Sequence, residues 1–390
     1  MKIRKQILIS ALLLGVLIPR LSAEIIGEGT VEHNNPDKIK PIPVSLSGFS
    51  GEVDSVLRLD LYVVGFEFVG ADQAQFLISG KNNGHVEGRV QDALSKANLL
   101  SNAYNGSSPR TEAHALANDI VKAITGKPGI FTGKIAFKIG EYRPSEIAVA
   151  DFDGHNTVSV TQDGSQVSAP CWIPNSRKLL YCSWLNGVPQ IFEHDLTSRA
   201  RKIFAKYPGA NYSPTVSPDG RRVAMVLNKS ENPDLYVCDI DGNNLKQLTK
   251  TIEAKSSPCW SPNSEQICFV SGSARPALYK INVNGGEAHR ISTGGVGSKL
   301  TEPDWSPDGK TIVFTSSTGN FSICTVPAEG GEAKVIAGGE DPCWAPNSRT
   351  VIFTRREKTK RVLSLLDVPT KHVKDVTQIS GSCSQPSWAR

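Results

Sequence analysis

Seven histidines, eight cysteines and one glycine-rich run are the residues of this 390-residue chain whose chemistry has to be placed first. The histidines stand at 33, 85, 114, 155, 194, 289 and 372. They contain no His-x-x-x-His pair and no short His/carboxylate cluster with metal-ligand spacing, so no metal site is expected. No Gly-x-Ser-x-Gly occurs, which disfavours a serine hydrolase. Gly294–Gly297 is followed by no strand–helix unit, so it does not read as a phosphate cradle. His114, beside the apolar face of a helical pattern, reads as a structural or surface residue. Neither a catalytic residue nor a cofactor is expected, and the chain reads as a binding protein rather than an enzyme.

The cysteines are informative in another way. Cys171, Cys259 and Cys343 occupy the middle of Pro-x-Trp triplets, and these triplets belong to an internal repeat. Its copies are Pro170–Ser176, Pro214–Gly220, Pro258–Ser264, Pro303–Gly309 and Pro342–Ser348, and a sixth begins at Pro386. The leading prolines are 44, 44, 45, 39 and 44 residues apart, the period of a β-propeller blade. Each unit reads as four strands: Pro-x-Trp in the first, a Pro-Asp/Asn turn, two further strands, and a tight Asp-Gly or Asn-Gly turn into the last. Upstream of Pro170 lie three strand patterns (134–138, 146–151, 158–161) without a Pro-x-Trp; downstream of Pro386 lies a first strand alone. The two fragments complete each other, which predicts six blades closed by a composite one. An open solenoid or a two-sheet sandwich leaves the split unit unexplained.

In this frame Trp172, Trp260, Trp305, Trp344 and Trp388 read as wedges between blades, and Val216 stands in the same slot of one copy. Equivalent points two blades apart are too distant for disulfides, so Cys171, Cys259, Cys343, Cys238 and Cys324 read as small buried fillers. Cys182, Cys268 and Cys383 stay undecided, with a Cys259–Cys268 bridge geometrically open.

Ahead of the repeat, Ile39–Leu46, Phe76–Ser79, Val86–Ala93 and Leu99–Tyr104 read as strands, and Val53–Val64 and Ser108–Ile124 as helices. The expected organisation is a small α+β domain over 24–129 and a propeller over 130–390. Residues 1–23 read as a secretory signal, with Lys2, Arg4 and Lys5 before an apolar run and Leu21–Ala23 as the cleavage site. The twelve-residue run spans about 18 Å, short of a bilayer core, so no membrane span is expected in the mature form. The formal charge of +5 belongs mostly to this leader; without it 39 basic residues face 38 acidic ones. A near-neutral chain without a basic run argues against nucleic acid.

These features together resemble the TolB family, the soluble periplasmic component of the Tol-Pal envelope system. The stretches that carry the resemblance are Ala113–Asp119, Ile124–Phe131, Tyr279–Gly286 and the Pro-x-Trp-Ser-Pro-Asp-Gly unit. Three copies read Pro-Asn-Ser where the family prefers Pro-Asp-Gly, and Glu24–Lys38 departs from it. The resemblance implies a periplasmic, non-catalytic protein that binds the peptidoglycan-associated lipoprotein at one mouth of the channel. It also implies support of outer-membrane integrity and of envelope constriction in cell division, and contact with inner-membrane Tol proteins through the N-terminal region. An exported propeller enzyme acting on peptides or sugars is the alternative. The residues just before each first strand share one rim and are the candidate partner-binding set: Asn211, Tyr212, Ser256, Ser257, Thr301, Glu302, Glu340, Asp341, Ser384 and Gln385. For each one taken singly, a solvated loop is the plainer alternative.

Overall fold

The computed structural model describes residues 39–390 except Tyr142, Ser230, Glu231, Ser298 and Thr318. The leader and the segment through Lys38 lie outside the described residues.

The N-terminal region is a five-stranded sheet with two helices. In chain order the elements are β1 (Ile42–Ser47), α1 (Gly51–Tyr62), β2 (Phe66–Phe68), β3 (Phe76–Lys81), β4 (Val86–Asp92), β5 (Asn98–Tyr104) and α2 (Pro109–Thr125). The sheet order is β2-β1-β3-β4-β5. Helix α2 is bounded as its residues dictate: Ser108 accepts the Thr111 N–H at its start, and Gly126 takes the left-handed conformation (φ 72°) at its end. Strand β2 is the element the sequence pattern does not reveal, because it is three residues long and follows Gly65 directly. That glycine sits at φ 89°, and a Cβ there would run into the Arg349 guanidinium.

The remaining chain forms six four-stranded blades. Blade 1 is Val167–Ile173, Lys178–Ser183, Gln190–Asp195 and Arg201–Ala205, and blades 2 to 5 repeat this order of strands A to D. Their A strands are Asn211–Val216, Lys255–Trp260, Leu300–Trp305 and Glu340–Trp344. Blade 6 takes strand A from Cys383–Trp388 and strands B to D from Lys134–Ile139, Glu146–Asp151 and Val158–Ser159. Cys383 pairs with Ile139 and Trp388 with Ile135, so the ring closes by joining distant parts of the sequence.

The tryptophans are wedges. Trp260 packs with Ala224 and Leu235 of blade 2, and Trp344 with Val313 and Ile323 of blade 4. Each therefore fills the seam with the preceding blade. The indole N–H of Trp172 donates to the Ser387 carbonyl at 3.1 Å, and that of Trp260 to the Thr215 carbonyl at 3.0 Å, tying neighbouring A strands together.

The N-terminal region and blades 5 and 6 share one apolar cluster, with Leu57, Leu116 and Ile120 against Leu365, Val376 and Trp388. A charged knot sits within that junction. His114 Nδ1 is 2.7 Å from Asp60 Oδ2, His114 Nε2 is 3.4 Å from Asp153 Oδ2, and Arg110 pairs with Asp153. Burial alone would lower the histidine's pKa, but the two flanking carboxylates more than reverse this and push it up to about 9. Burial likewise works to raise Asp153, but His114 and Arg110 outweigh it and hold Asp153 at about 2. His114 is thus a buried cation that bridges α1, α2 and blade 6. All eight cysteines are free thiols, including the register partners Cys259 and Cys268.

Candidate functional site

A central channel runs along the ring axis, built from the six A strands. Each A strand is interrupted by a bulge at the residue before its proline: the pairing with strand B shifts between Tyr212 and Thr215, Ser256 and Cys259, Thr301 and Asp304, and equivalently in the other three blades. The bulged residues are Ala169, Ser213, Ser257, Glu302, Asp341 and Gln385, all non-glycine, with φ of 51°, 51°, 48°, 53°, 54° and 52°. Six residues held in this sparsely used region re-aim six side chains toward the axis. They and the prolines that follow line the first mouth, a cavity of about 260 Å³.

Three of these side chains form a chain of contacts around the mouth. Glu302 Oε2 accepts the Asp341 N–H at 2.9 Å, Asp341 Oδ2 accepts the Gln385 N–H at 3.0 Å, and Gln385 Oε1 accepts the Ala169 N–H at 2.9 Å. Thr315 donates to Glu302 at 2.7 Å and Thr354 to Asp341 at 3.1 Å. Burial, reinforced by the neighbouring Asp341, pushes the Glu302 carboxyl up to about 8. Burial also raises Asp341. The mouth therefore carries two neighbouring carboxyls in the blade 4–5 sector, both raised above the usual carboxylate range, and short neutral side chains in blades 1 to 3.

Of the ten rim residues expected from the sequence, Ser257, Glu302, Asp341 and Gln385 lie in this ring. Tyr212, Ser256, Thr301, Glu340 and Ser384 stand one residue earlier and are paired with strand B, at Val226, Val270, Thr315, Thr354 and Lys138. Among them Tyr212 is half-buried, its hydroxyl pushed up to about 12 by burial, and Glu340 is bound by the Arg361 Nε at 2.7 Å. Asn211 is a correction. It is fully buried, accepts the Tyr207 N–H at 2.8 Å and donates to the carbonyls of Tyr207 and Gly209. It is a loop clamp one residue out of step with the other copies. Ala169 and Ser213 are the ring members sequence reasoning missed, and counting back from each repeat proline finds them. The same end of the ring carries exposed apolar side chains, Leu185, Val188 and Ile252 on its loops and Phe321 at the start of a strand.

Deeper in the channel the triplet's middle residues form a waist shared by both halves: Cys171, Thr215, Cys259, Asp304, Cys343 and Ser387. Cys259 is buried in an apolar cluster, as are Cys238 and Cys324, and Cys171 and Cys343 pack half-buried against two others, so the five act as fillers while the triplet's three also face the channel. Burial pushes the Cys343 thiol up to about 12, so it is a neutral wall group at ordinary pH. Side chains of this tier accept the backbone N–H of the next blade: Trp344 to Asp304 at 2.6 Å, Val216 to Cys171 and Trp388 to Cys343 at 3.4 Å. Beyond the waist the second mouth opens into a cavity of about 370 Å³ lined by Trp172, Trp260, Trp305, Trp388, the turn prolines and Arg390.

Among the described residues no group of three or more His, Cys, Asp or Glu is placed to hold a metal ion. Also among the described residues, no helix is long and apolar enough to cross a membrane.

Comparison with known proteins agrees with this architecture. The chain is 27% identical over 302 residues to the Tol-Pal system protein TolB of Anaeromyxobacter dehalogenans, covering 67% of this chain and 68% of the relative. It is 28% identical over 245 residues to the protein of that name from Bordetella parapertussis, covering 60% of this chain and 55% of the relative. The crystal structure of TolB from Acinetobacter baumannii superimposes with a TM-score of 0.80 at 22% identity, over 90% of this chain and 97% of that one, a likeness of fold. The family described as TolB beta propeller domain matches residues 121–390. With that match covering all six blades' B, C and D strands and the closing A strand, the chain belongs to the TolB beta propeller family.

Proposed function

We propose that this chain is a periplasmic, non-catalytic component of a Tol-Pal system that binds the peptidoglycan-associated lipoprotein at the first mouth of its channel. In this role it supports outer-membrane integrity and envelope constriction during division, with inner-membrane Tol proteins met through the N-terminal region. The observation that carries the reading is the ring of six bulged residues. It offers a rigid, pre-formed set of acceptors and apolar loop residues around a depression, which suits recognition of a partner's surface at low ordering cost. The name shared by the relatives supports the choice of system.

The test is capture of the purified lipoprotein domain by the full chain and by a variant carrying Tyr212→Ala with Glu302→Gln. Capture is expected to weaken at least tenfold while the thermal midpoint stays within a few degrees. Undiminished capture by a folded variant removes this face from the proposal.

A further inference from the structure

The repeat is broken at three positions along this half of the channel, Val216 among the wedges and two others, and those two meet. Two residues after the wedge position, five blades carry a turn proline: Pro174, Pro218, Pro262, Pro307 and Pro346. In blade 6 that slot holds Arg390. At the waist, where the other five blades place neutral Cys, Thr or Ser, blade 4 alone places a carboxylate, Asp304.

The Arg390 side chain reaches across blade 5 to blade 4. Its Nη2 donates to Asp304 Oδ2 and, at 2.9 Å, to the Trp344 carbonyl; its Nε lies 3.3 Å from the same carbonyl. Nη2 is also 3.9 Å from the Cys343 sulfur. A planar fork that meets a carboxylate and a carbonyl at once is guanidinium geometry, which an ammonium does not reproduce. The surrounding walls are indole, proline and thiol; the Asp304 side chain is 15% exposed and that of Arg390 32%, so solvent reaches the pair from the arginine's side.

We propose that the second mouth is an arginine-binding socket, filled in cis by Arg390, which closes that end of the channel. Its carboxylate is Asp304, its carbonyl acceptor Trp344, and its collar the proline and tryptophan edges. The ligand class it takes when Arg390 is withdrawn is the guanidinium of an arginine side chain on another polypeptide segment.

Chemical rescue tests this in the full chain. Arg390→Ala is expected to lower the thermal midpoint by about 2 °C or more. Ethylguanidinium at tens of millimolar restores most of that loss, and ethylammonium restores clearly less. The same additive leaves the wild type and the Arg390→Ala/Asp304→Asn double variant unchanged. In Arg390→Ala it also slows labelling of Cys171, Cys259 and Cys343 by a charged thiol reagent at least fivefold, followed by peptide mass. Asp304→Asn alone, which keeps the side-chain shape, speeds that labelling and carries the test if Arg390→Ala does not fold. No rescue, equal rescue by ethylammonium, rescue in the double variant, or unchanged labelling in Asp304→Asn overturns the socket.

Discussion

The two mouths of the channel are made by the same six strands, yet they differ in what the repeats hold constant. At the second mouth the copies agree, with wedge tryptophans in five blades and turn prolines in five. At the first mouth the six bulged positions read Ala, Ser, Ser, Glu, Asp and Gln. The backbone there is uniform, with φ within a few degrees in all six, while the side chains vary freely. A closed ring keeps its packing where the blades must match and places individual chemistry where only the backbone must match. The same scaffold thereby separates the residues that hold it together from those available for recognition.

The largest effect that sharpens this contrast is expected at the packing end. Trp388 is buried against Phe152 with ring centroids 6.2 Å apart, in the strand that closes the ring. Trp388→Ala is expected to cost about 3–5 kcal/mol, read from chemical denaturation, with lipoprotein capture per folded molecule unchanged. A loss below about 1 kcal/mol would mean that the second mouth is not where the ring is held.

A smaller effect is expected from the carboxyl pair. Glu302 binds its proton more tightly folded than unfolded, because burial and Asp341 raise it to about 8. Its contribution to stability is therefore fullest at low pH and declines as the pH rises from the ordinary carboxylate range through about 8. Glu302→Gln is expected to flatten that slope and to exceed the wild type above pH 8 by about 2 kcal/mol. Parallel pH profiles of the two proteins would break the assignment of this cost to the first mouth.

The smallest stability effect is expected at the exposed loop residues of the first mouth. Val188→Ser with Ile252→Ser should alter stability by no more than about 0.5 kcal/mol yet reduce lipoprotein capture. Wild-type capture by this variant would confine recognition to the ring itself.

What could be read in advance follows from which features have residue signatures. Blade number and the split last blade were legible because the leading proline recurs in every copy, a tryptophan follows it in five of six, and Pro-Asp or Pro-Asn turns punctuate the five full ones. Helix α2 was legible from Ser108, Pro109 and Gly126. The bulged ring was only partly legible: a left-handed residue before proline has no preferred type, so Ser257 and Glu302 were found while Ser213 was displaced to Asn211. The Arg390–Asp304 contact was not legible, since 86 residues separate the pair and only the curvature of the ring brings them together. The partners of His114 were hidden for the same reason, because Asp60 and Asp153 come from different elements.

The pairing of Cys383–Trp388 with Lys134–Ile139 also bears on assembly. Until those six residues dock, strand B of the split blade is an unpaired edge with its N–H and C=O groups open to any extended segment. The five other blades lie between the two parts, so this is the contact of highest sequence separation in the ring and the slowest to search for. A neighbouring chain's copy of the same strand is chemically identical to the correct one. At high concentration during refolding, a domain-swapped dimer that exchanges this strand is therefore the natural competitor of the closed monomer.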